Sequence, residues 1–213
     1  MNYQQQFSTI QLDALKEIGN IGAGNAATSM SGLIQKKVDM KVPSIEIVAF
    51  DDVMEMVGGP DQLIVGILFQ IHGKAPGMVY LLFTLEEAES LVRQMTNMEG
   101  ISFTPNGEQD ELAISALQEA GNILAGSYLS ALSDFTNINM QPSVPHLSVD
   151  MAGAILTVGL LEISEVYDFA IIINTKINDA EEKNKGINGQ LLLLPSPESF
   201  TKIFQALGIQ ENE

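Results

Sequence analysis

Eight residues form two matched sets whose types and spacing suit chemistry on another molecule. They are Asp13, Glu17, Asn20 and Pro43, followed by Ser115, Glu119, Asn122 and Pro145. Each member of the second set lies 102 positions after its counterpart. Separations of four and three residues bring the first three members of each set onto one helical face. We therefore expect two copies of one polar stripe, each with a carboxylate beside a neutral amide.

The reaction that best suits this stripe is hydrolysis of a phosphoryl group carried by another protein. The transition state of phosphoryl transfer is loose, so positioning of the attacking water matters more than removal of its proton. An asparagine amide can orient that water without setting a negative charge against the phosphoryl oxygens. The glutamate is then free to pair with a cation on the partner. A ~100-fold acceleration requires only about 2.7 kcal/mol of transition-state stabilisation.

A glycine extends each stripe, at Gly24 and Gly126. Glycine in a helix costs about 1 kcal/mol of stability relative to alanine, but it lets a partner surface approach the backbone closely. We therefore interpret Asp13, Gly24, Ser115 and Gly126 as partner-binding positions. The alternative is that each stripe is only a solvated helix face. Retention of the same Glu, Asn and Gly in two otherwise diverged halves favours a functional role.

Other catalytic classes find less support. No Ser/His/Asp arrangement is evident, and the absence of cysteine excludes thiol catalysis and thiolate metal sites. His72 and His146 have no obvious companion ligands, so no metal site is predicted. The segment Gly19-x-x-Gly22-x-Gly24 lies within a predicted helix and lacks the lysine of a phosphate-binding loop. Two glutamates on separate helices do not define a glycosidase pair while their separation is unknown.

Two long helices are predicted to carry the stripes. The first begins at Ser8 or Thr9 and ends near Lys36, and the second runs from about Asn106 to Phe135. On an ideal helical wheel, the apolar residues of each helix gather opposite its stripe. The predicted core positions are Leu12, Leu15, Ile18, Gly22, Ala26, Ser29, Met30 and Leu33, then Ile114, Leu117, Ala120, Leu124, Tyr128, Ala131, Leu132 and Phe135.

Strand-like sequence follows each long helix, beginning after the proline of the motif. The predicted strands of the first half are 44–50, 63–72 and 77–83. A short helix is expected near 52–57, and a further helix closes each half. Thr84 and Glu87 form a capping box at the start of the first closing helix. Ser196 followed by Pro197 begins the second.

The second half contains an insertion. Thr84 and Ser196 are 112 positions apart, ten more than the motif spacing, and the polar stretch 178–188 is the natural place for part of the difference. We predict an α+β fold with internal pseudo-two-fold symmetry, in which long amphipathic helices pack on an antiparallel sheet. The 213 residues are expected to form a single domain, with repeat one at about 1–104 and repeat two at about 105–213.

The composition indicates a globular protein with an acidic surface. Hydrophobic residues make up 46% of the chain and the net charge is −17, which argues against binding to the phosphates of nucleic acid. Apolar runs such as 64–69 and 153–161 have the length of strands and are too short to cross a bilayer. The N-terminal residues lack the pattern of a signal peptide. We therefore predict a cytoplasmic protein that is not inserted in a membrane.

The duplicated motif resembles the signature of the CheC/CheX/FliY phosphatases of bacterial chemotaxis. The resemblance covers essentially the whole chain, and the stretches 17–24 and 121–129 are particularly similar to CheC-type members. CheX-type members are shorter and keep one working motif, whereas FliY-type members add a flagellar-switch domain for which this chain has no room. The length and the two complete motifs therefore favour the CheC type.

The resemblance implies a phosphatase that acts on the aspartyl phosphate of the response regulator CheY. It implies that Asn20 and Asn122 orient the attacking water, and that Glu17 and Glu119 contact the regulator's lysine near the phosphate. Mg²⁺ is expected on the phosphorylated partner, so no cofactor is expected on this chain. The receptor deamidase CheD is expected as a second partner that raises the activity. The chain is expected to be a monomer.

A non-catalytic binding module that sequesters CheY-phosphate or CheD is the main alternative. Retention of both asparagines favours catalysis, because binding alone could use many polar residues at these positions. A structural relative of the flagellar switch is a weaker alternative, and the missing switch domain counts against it.

Overall fold

A computed structural model describes residues 9–105, 110–163, 169–179 and 186–208 of the chain. Six helices and seven strands lie in these ranges. In chain order they are α1 (Thr9–Ile34), β1 (Val38–Ala49), α2 (Phe50–Met56), β2 (Leu63–Gly73), β3 (Gly77–Thr84), α3 (Leu85–Thr96), α4 (Glu111–Thr136), β4 (Met140–Pro142), β5 (His146–Met151), α5 (Ala152–Ile163), β6 (Phe169–Asp179), β7 (Ile187–Pro195) and α6 (Pro197–Ala206). Both halves begin with a long helix and end with two strands and a closing helix, but the single strand β1 of the first half corresponds to two strands, β4 and β5, in the second.

The strands form one antiparallel sheet in which the two halves are interleaved. The order is β1–β6–β7–β3–β2, and β4 and β5 both pair with the outer edge of β2. β1 thus lies beside β6, and its counterparts β4 and β5 lie beside β2, so each motif helix is followed by strand that pairs with the other half. At the centre, Tyr80 of β3 pairs with Leu192 of β7. These two positions are 112 apart, like Thr84 and Ser196, so the pseudo-two-fold axis passes through this pair.

Alternation along the central strands creates two hydrophobic cores, one on each face of the sheet. On β3, Val79 and Leu81 belong to the larger core, with α1, α3, α4 and α6. Tyr80 and Leu82 belong to the smaller core, with α2 and α5. The sheet is therefore the middle layer of three, and the motif helices α1 and α4 lie on the face with the larger core. The predicted α+β class with antiparallel sheet is confirmed.

The predicted caps of the two closing helices are confirmed. The Thr84 side chain accepts the backbone N–H of Glu87, whose carboxylate accepts the backbone N–H of Thr84, which completes the capping box of α3. Ser196 caps α6, and Pro197 occupies its first turn. Ser8 and Asn106 lie outside the described residues. α4 begins at Glu111 rather than near Asn106, and the Asp110 carboxylate accepts the backbone N–H groups of Leu112 and Ala113.

Three predicted core positions on the motif helices are wrong. Ser29 is exposed, and Leu33 and Phe135 are each 49% exposed. The two large residues are counterparts in the two halves, and each lies in the last turn of its helix. The next residue of each helix, Ile34 or Thr136, is half-buried or buried, so Leu33 and Phe135 lie on the solvent side of turns that still pack on the core. The other predicted core positions with described burial are buried or half-buried.

The predicted relation between Pro43 and its strand is also wrong. β1 begins at Val38, before the proline, rather than at Ser44. The pairing of β1 with β6 shifts register between Lys41 and Ser44, which places Pro43 at an irregularity. Because β1 pairs with β6 alone among the described strands, it is an edge strand, where a residue without an N–H is tolerated.

The second half contains a helix that the sequence pattern did not reveal. The run 153–161, expected to have the length of a strand, lies within α5. α5 occupies the same place in its half as α2 does in the first, and both border the smaller core. Of the stretch 178–188 in which part of the insertion is predicted, residues 180–185 lie outside the described residues. No helix within the described ranges is long and apolar enough to span a membrane.

Candidate active site

The two motif helices meet at a glycine of one and a tyrosine of the other. A Cβ atom on Gly22 would lie 2.7 Å from Cδ1 of Tyr128 and 3.0 Å from its Cα atom, so α1 approaches the α4 backbone closely. The Tyr128 hydroxyl and Oγ1 of Thr175 on β6 form a buried hydrogen bond of 2.7 Å. Burial raises the pKa of Tyr128 to about 12, although the Thr175 hydrogen bond lowers it. Tyr128 thus holds both motif helices against the sheet.

The first site is the stripe of Asp13, Glu17, Asn20 and Gly24 on α1. All four residues are exposed, on the side opposite the buried Leu15 and Ala26. The predicted exposure of this stripe is therefore confirmed. The stripe offers an acid and an amide directly to a partner.

A backbone contact orients the amide of the first site. The N–H of Val42 donates to Oδ1 of Asn20 at 3.4 Å, and this leaves the Nδ2 donors available to other partners. Val42 lies within the register shift that separates Lys41 from Ser44 in the pairing of β1 with β6, so its N–H is available to a side chain. Pro43, at the same irregularity, has no N–H to restore the ladder. In the first copy of the motif, this arrangement links Asn20 to the segment that contains Pro43.

The second site is the stripe of Ser115, Glu119, Asn122 and Gly126 on α4. The first three residues are exposed and Gly126 is half-buried. The Ser115 hydroxyl donates to the carbonyl of Glu111 in its own helix, at 2.8 Å.

The segment that leads to Pro145 in the second site differs from its counterpart near Pro43. Ser143 exchanges hydrogen bonds with the backbone of Gln70 on β2. Val144, the counterpart of Val42, is 85% exposed. Within the described part of the chain, no residue makes a hydrogen bond with the Asn122 side chain. The two asparagines therefore lie on equivalent helical faces but in different local surroundings.

The glycines of the motif helices divide into two groups. Gly19 and Gly121 face the sheet, where a Cβ atom would approach Ile45 at 3.0 Å and Phe69 at 3.1 Å, respectively. Gly22 faces Tyr128. By contrast, a Cβ atom on Gly24 or on Gly126 would meet nothing within 4 Å. Packing within the chain explains the first group but not the second, which supports the interpretation that a partner approaches there.

Two residues beside the first site were missed by the sequence reasoning. Lys16 is exposed, and it lies four residues before Asn20. Ile21 is 39% exposed and lies four residues after Glu17. Their counterparts in the second half, Gln118 and the half-buried Ile123, differ in charge and in exposure, respectively. The change from Lys16 to Gln118 can be found by comparing the two repeats position by position.

The two stripes lie outside the two large grooves formed by the described residues. Two grooves, of about 560 Å³ and 540 Å³, include no glutamate or asparagine of either stripe. The larger groove borders the face of the smaller core, through Ile64 and Leu82. No three His, Asp or Glu side chains of the described residues are grouped so that they could hold a metal. Each stripe is an open helix face, so another macromolecule must supply the remaining walls of a reaction site.

Comparison with known proteins identifies relatives along almost the whole length of the chain. The model of the CheC-like family matches residues 10–47 and 112–149, which contain the two motifs. The CheY-P phosphatase CheC of Bacillus subtilis (strain 168) is 39% identical over 198 residues, covering 93% of this chain and 94% of the relative. The flagellar motor switch phosphatase FliY of the same organism is 28% identical over 142 residues, covering 67% of this chain and 36% of the relative.

Solved structures share the fold at lower sequence identity. Thermotoga maritima FliY superposes with a TM-score of 0.74 at 19% identity, covering 95% of this chain and 98% of that chain. The FliM middle domain from H. pylori superposes with a TM-score of 0.65 at 12% identity, covering 94% and 99%. At these identities the likeness concerns the arrangement of helices and strands alone.

Proposed function

The chain belongs to the CheC-like family, and from this premise we propose that it is a phosphatase of the chemotaxis response regulator CheY. The substrate is the aspartyl phosphate of phosphorylated CheY. The observation that carries the proposal is the 39% identity to a CheY-P phosphatase over 93% of the chain. The exposure of the same Glu and Asn on both motif helices supports it independently.

In the proposed reaction, a water molecule attacks the phosphorus atom in line with the bond to the aspartyl oxygen. That bond breaks, and the products are inorganic phosphate and the free aspartate. Asn20 or Asn122 orients the water. Oδ1 of Asn20 still has a lone pair for the water after accepting the Val42 N–H, and Nδ2 can donate to a phosphoryl oxygen. Because the transition state is loose, this positioning requires no general base of high pKa.

The open shape of the sites suits a substrate that is itself a protein. Glu17 and Glu119 are exposed carboxylates one helical turn from the asparagines, where each can pair with the lysine near the phosphate of CheY. The space beside Gly24 and Gly126 admits a partner surface up to the helix backbone. Mg²⁺ on CheY supplies the cationic charge that screens the phosphoryl oxygens.

Three further elements belong to the same proposal. CheD binds the chain and raises its activity, the chain works as a monomer, and the reaction takes place in the cytoplasm. The pseudo-two-fold sheet supports the monomeric state, because one chain already contains both halves of a symmetric arrangement.

The proposal is tested by the decay of phosphorylated CheY with catalytic amounts of this protein, with and without CheD. The set includes Asn20→Ala, Asn122→Ala and the double variant, each checked for an unchanged thermal unfolding midpoint. We expect multiple turnovers with the wild-type protein and none with the double variant.

Two results would contradict the proposal in different ways. A folded double variant with full activity would overturn the role of the asparagines. Stoichiometric binding of phosphorylated CheY without faster decay, even with CheD present, would support a binding module instead.

A further inference from the structure

The two motif helices carry different charges. α1 contains Asp13, Lys16 and Glu17 as its only charged residues, for a net charge of −1. α4 contains Glu111, Glu119 and Asp134 and no cation, for a net charge of −3. The one cation lies within the first site, whereas the second site has Gln118 at the equivalent position. The duplication has therefore kept the glutamate and asparagine in both copies while their electrostatic surroundings have become different.

Lys16 is placed to act at the first site. Residues three and four apart are neighbours on a helix surface, with Cβ atoms about 5–6 Å apart, so Lys16 lies beside both Asp13 and Asn20. Its side chain is exposed, and no Asp or Glu oxygen of the described residues lies within salt-bridge distance of it. The ammonium group is therefore free to reach a ligand held by Asn20.

We propose that Lys16 is a docking residue of the first site that pairs with the phosphoryl group of the incoming protein. It makes the first site the preferred point of encounter and leaves the second site, without a cation, as the weaker one. This inference rests on the proposed phosphatase function. A lysine ammonium is a flexible point charge with three donors, which suits contact with a phosphoryl group whose position changes during reaction. Negative charge spread over the phosphoryl oxygens favours a cation close by.

The surroundings of Lys16 decide between this role and that of an ordinary solvated lysine. An intrahelical ion pair with Asp13 would hold the ammonium away from a ligand, but the two groups are not within 4.0 Å. The chain carries only 10 Lys and Arg residues against 27 Asp and Glu. An anionic substrate thus meets a generally repulsive surface, on which a single cation at the reacting face has a large relative effect.

The experiment exchanges the two residues between sites that have been isolated from each other. Asn122→Ala leaves the first site in use, and Asn20→Ala leaves the second. Lys16→Gln is introduced into the former and Gln118→Lys into the latter, so that each site acquires the residue of the other. The measured quantities are kcat and KM for phosphorylated CheY at salt concentrations from about 0.05 M to about 0.3 M. Lys74→Gln, which removes an exposed lysine in the connection between β2 and β3, controls for net charge.

We expect Lys16→Gln to lower kcat/KM of the first site by about three- to tenfold, mainly through KM, and to reduce its dependence on salt. Gln118→Lys should raise kcat/KM of the second site by a similar factor and introduce a salt dependence. Lys74→Gln should change neither. If each exchanged variant has the same kcat/KM as its single-site parent at every salt concentration, the inference is overturned and the phosphatase proposal stays intact.

A lack of turnover at both isolated sites would contradict the proposed function. In that case an equilibrium binding measurement still tests the role of Lys16. CheY loaded with beryllofluoride serves as the probe, because this group stands in for the phosphoryl group and is not hydrolysed. Lys16→Gln should weaken the equilibrium binding of this probe about three- to tenfold. Unchanged binding would overturn the role of Lys16 independently of catalysis.

Discussion

The backbone N–H of Val42 donates a hydrogen bond to the side-chain carbonyl of Asn20, across 22 residues of sequence. Val42 lies where β1 breaks its register with β6, just before Pro43. The amide proposed to orient water is thereby tied to the sheet as well as to its own helix. α1 carries the Asn20 side chain on its exposed face, and the irregular segment of β1 fixes the orientation of its amide through the Val42 N–H.

This contact makes Asn20→Asp an informative change. A carboxylate oxygen can accept the same Val42 N–H, so we expect the fold to remain intact. The added negative charge would oppose the phosphoryl oxygens, and we expect kcat of the first site to fall about 100-fold. The measurement is turnover of phosphorylated CheY in the Asn122→Ala background. Asn25→Asp, an equal change at an exposed position of α1 outside the stripe, should retain activity, and equal losses in both variants would contradict this account.

Gly24→Ala should separate stability from activity. A Cβ atom at this position meets nothing within 4 Å, and alanine favours the helix by about 1 kcal/mol. We therefore expect a higher free energy of unfolding together with slower turnover at the first site, because the methyl group would obstruct the partner.

Gly22→Ala provides the contrast for Gly24→Ala. Its Cβ atom would lie 2.7 Å from the Tyr128 ring and 3.0 Å from the Tyr128 backbone, and we expect destabilisation of about 1–3 kcal/mol. Denaturant titration measures both variants. Stabilisation by Gly22→Ala would show that the two helices are not in close contact.

Ile21 is expected to contribute an apolar contact to the partner. It is 39% exposed beside Glu17, so Ile21→Ser should raise KM of the first site about three- to tenfold while changing stability little. Leu33→Ser, which alters an exposed apolar residue in the last turn of α1, is the matched control and should leave KM unchanged. An equal effect of both substitutions would indicate a general surface effect.

Tyr128 predicts a specific loss of stability in alkali. Its pKa is raised to about 12 from 10.0, chiefly by burial, so the folded state retains this proton more strongly than the unfolded chain does. The associated stability is complete below pH 10 and is lost as the pH rises through 12, by at most about 2.7 kcal/mol. Unfolding free energies between pH 8 and pH 12 should therefore decline more steeply for the wild-type protein than for Tyr128→Phe. The two proteins share every other titratable group, so the difference between the curves reports Tyr128. Parallel curves would contradict the assignment.

Local features of this chain could be predicted from sequence, because they depend on neighbouring residues. The capping box of α3, the helical periods and the exposed stripes all follow from interactions within one or two turns. The exposure of Leu33 and Phe135 could not be predicted, since a helical wheel does not show which side of the last turn the rest of the protein covers. Likewise, the short apolar run 153–161 fits a strand or a helix equally well.

Non-local relationships were beyond the sequence pattern. The hydrogen bond from Val42 to Asn20 depends on a register shift in a strand whose partner, β6, begins more than a hundred residues later. The exchange of strands between the halves is equally non-local, because two repeats with similar strands permit pairing within each half or between them. What distinguishes the two sites, such as Lys16 and Gln118, was present in the sequence and became visible once the exposed face was known.

The interleaved sheet determines when the strands can pair during synthesis of the chain. β1 has β6 as its only described neighbour, and β3 needs β7 on one side, yet both partners emerge from the ribosome after most of the chain. Strands β1 and β3 of the N-terminal half therefore keep unpaired edges until the second half has been synthesised. It follows that a gene encoding a single repeat would yield a folded product only as two intertwined copies, and that expression of residues 1–104 alone should give such a dimer or an unfolded chain.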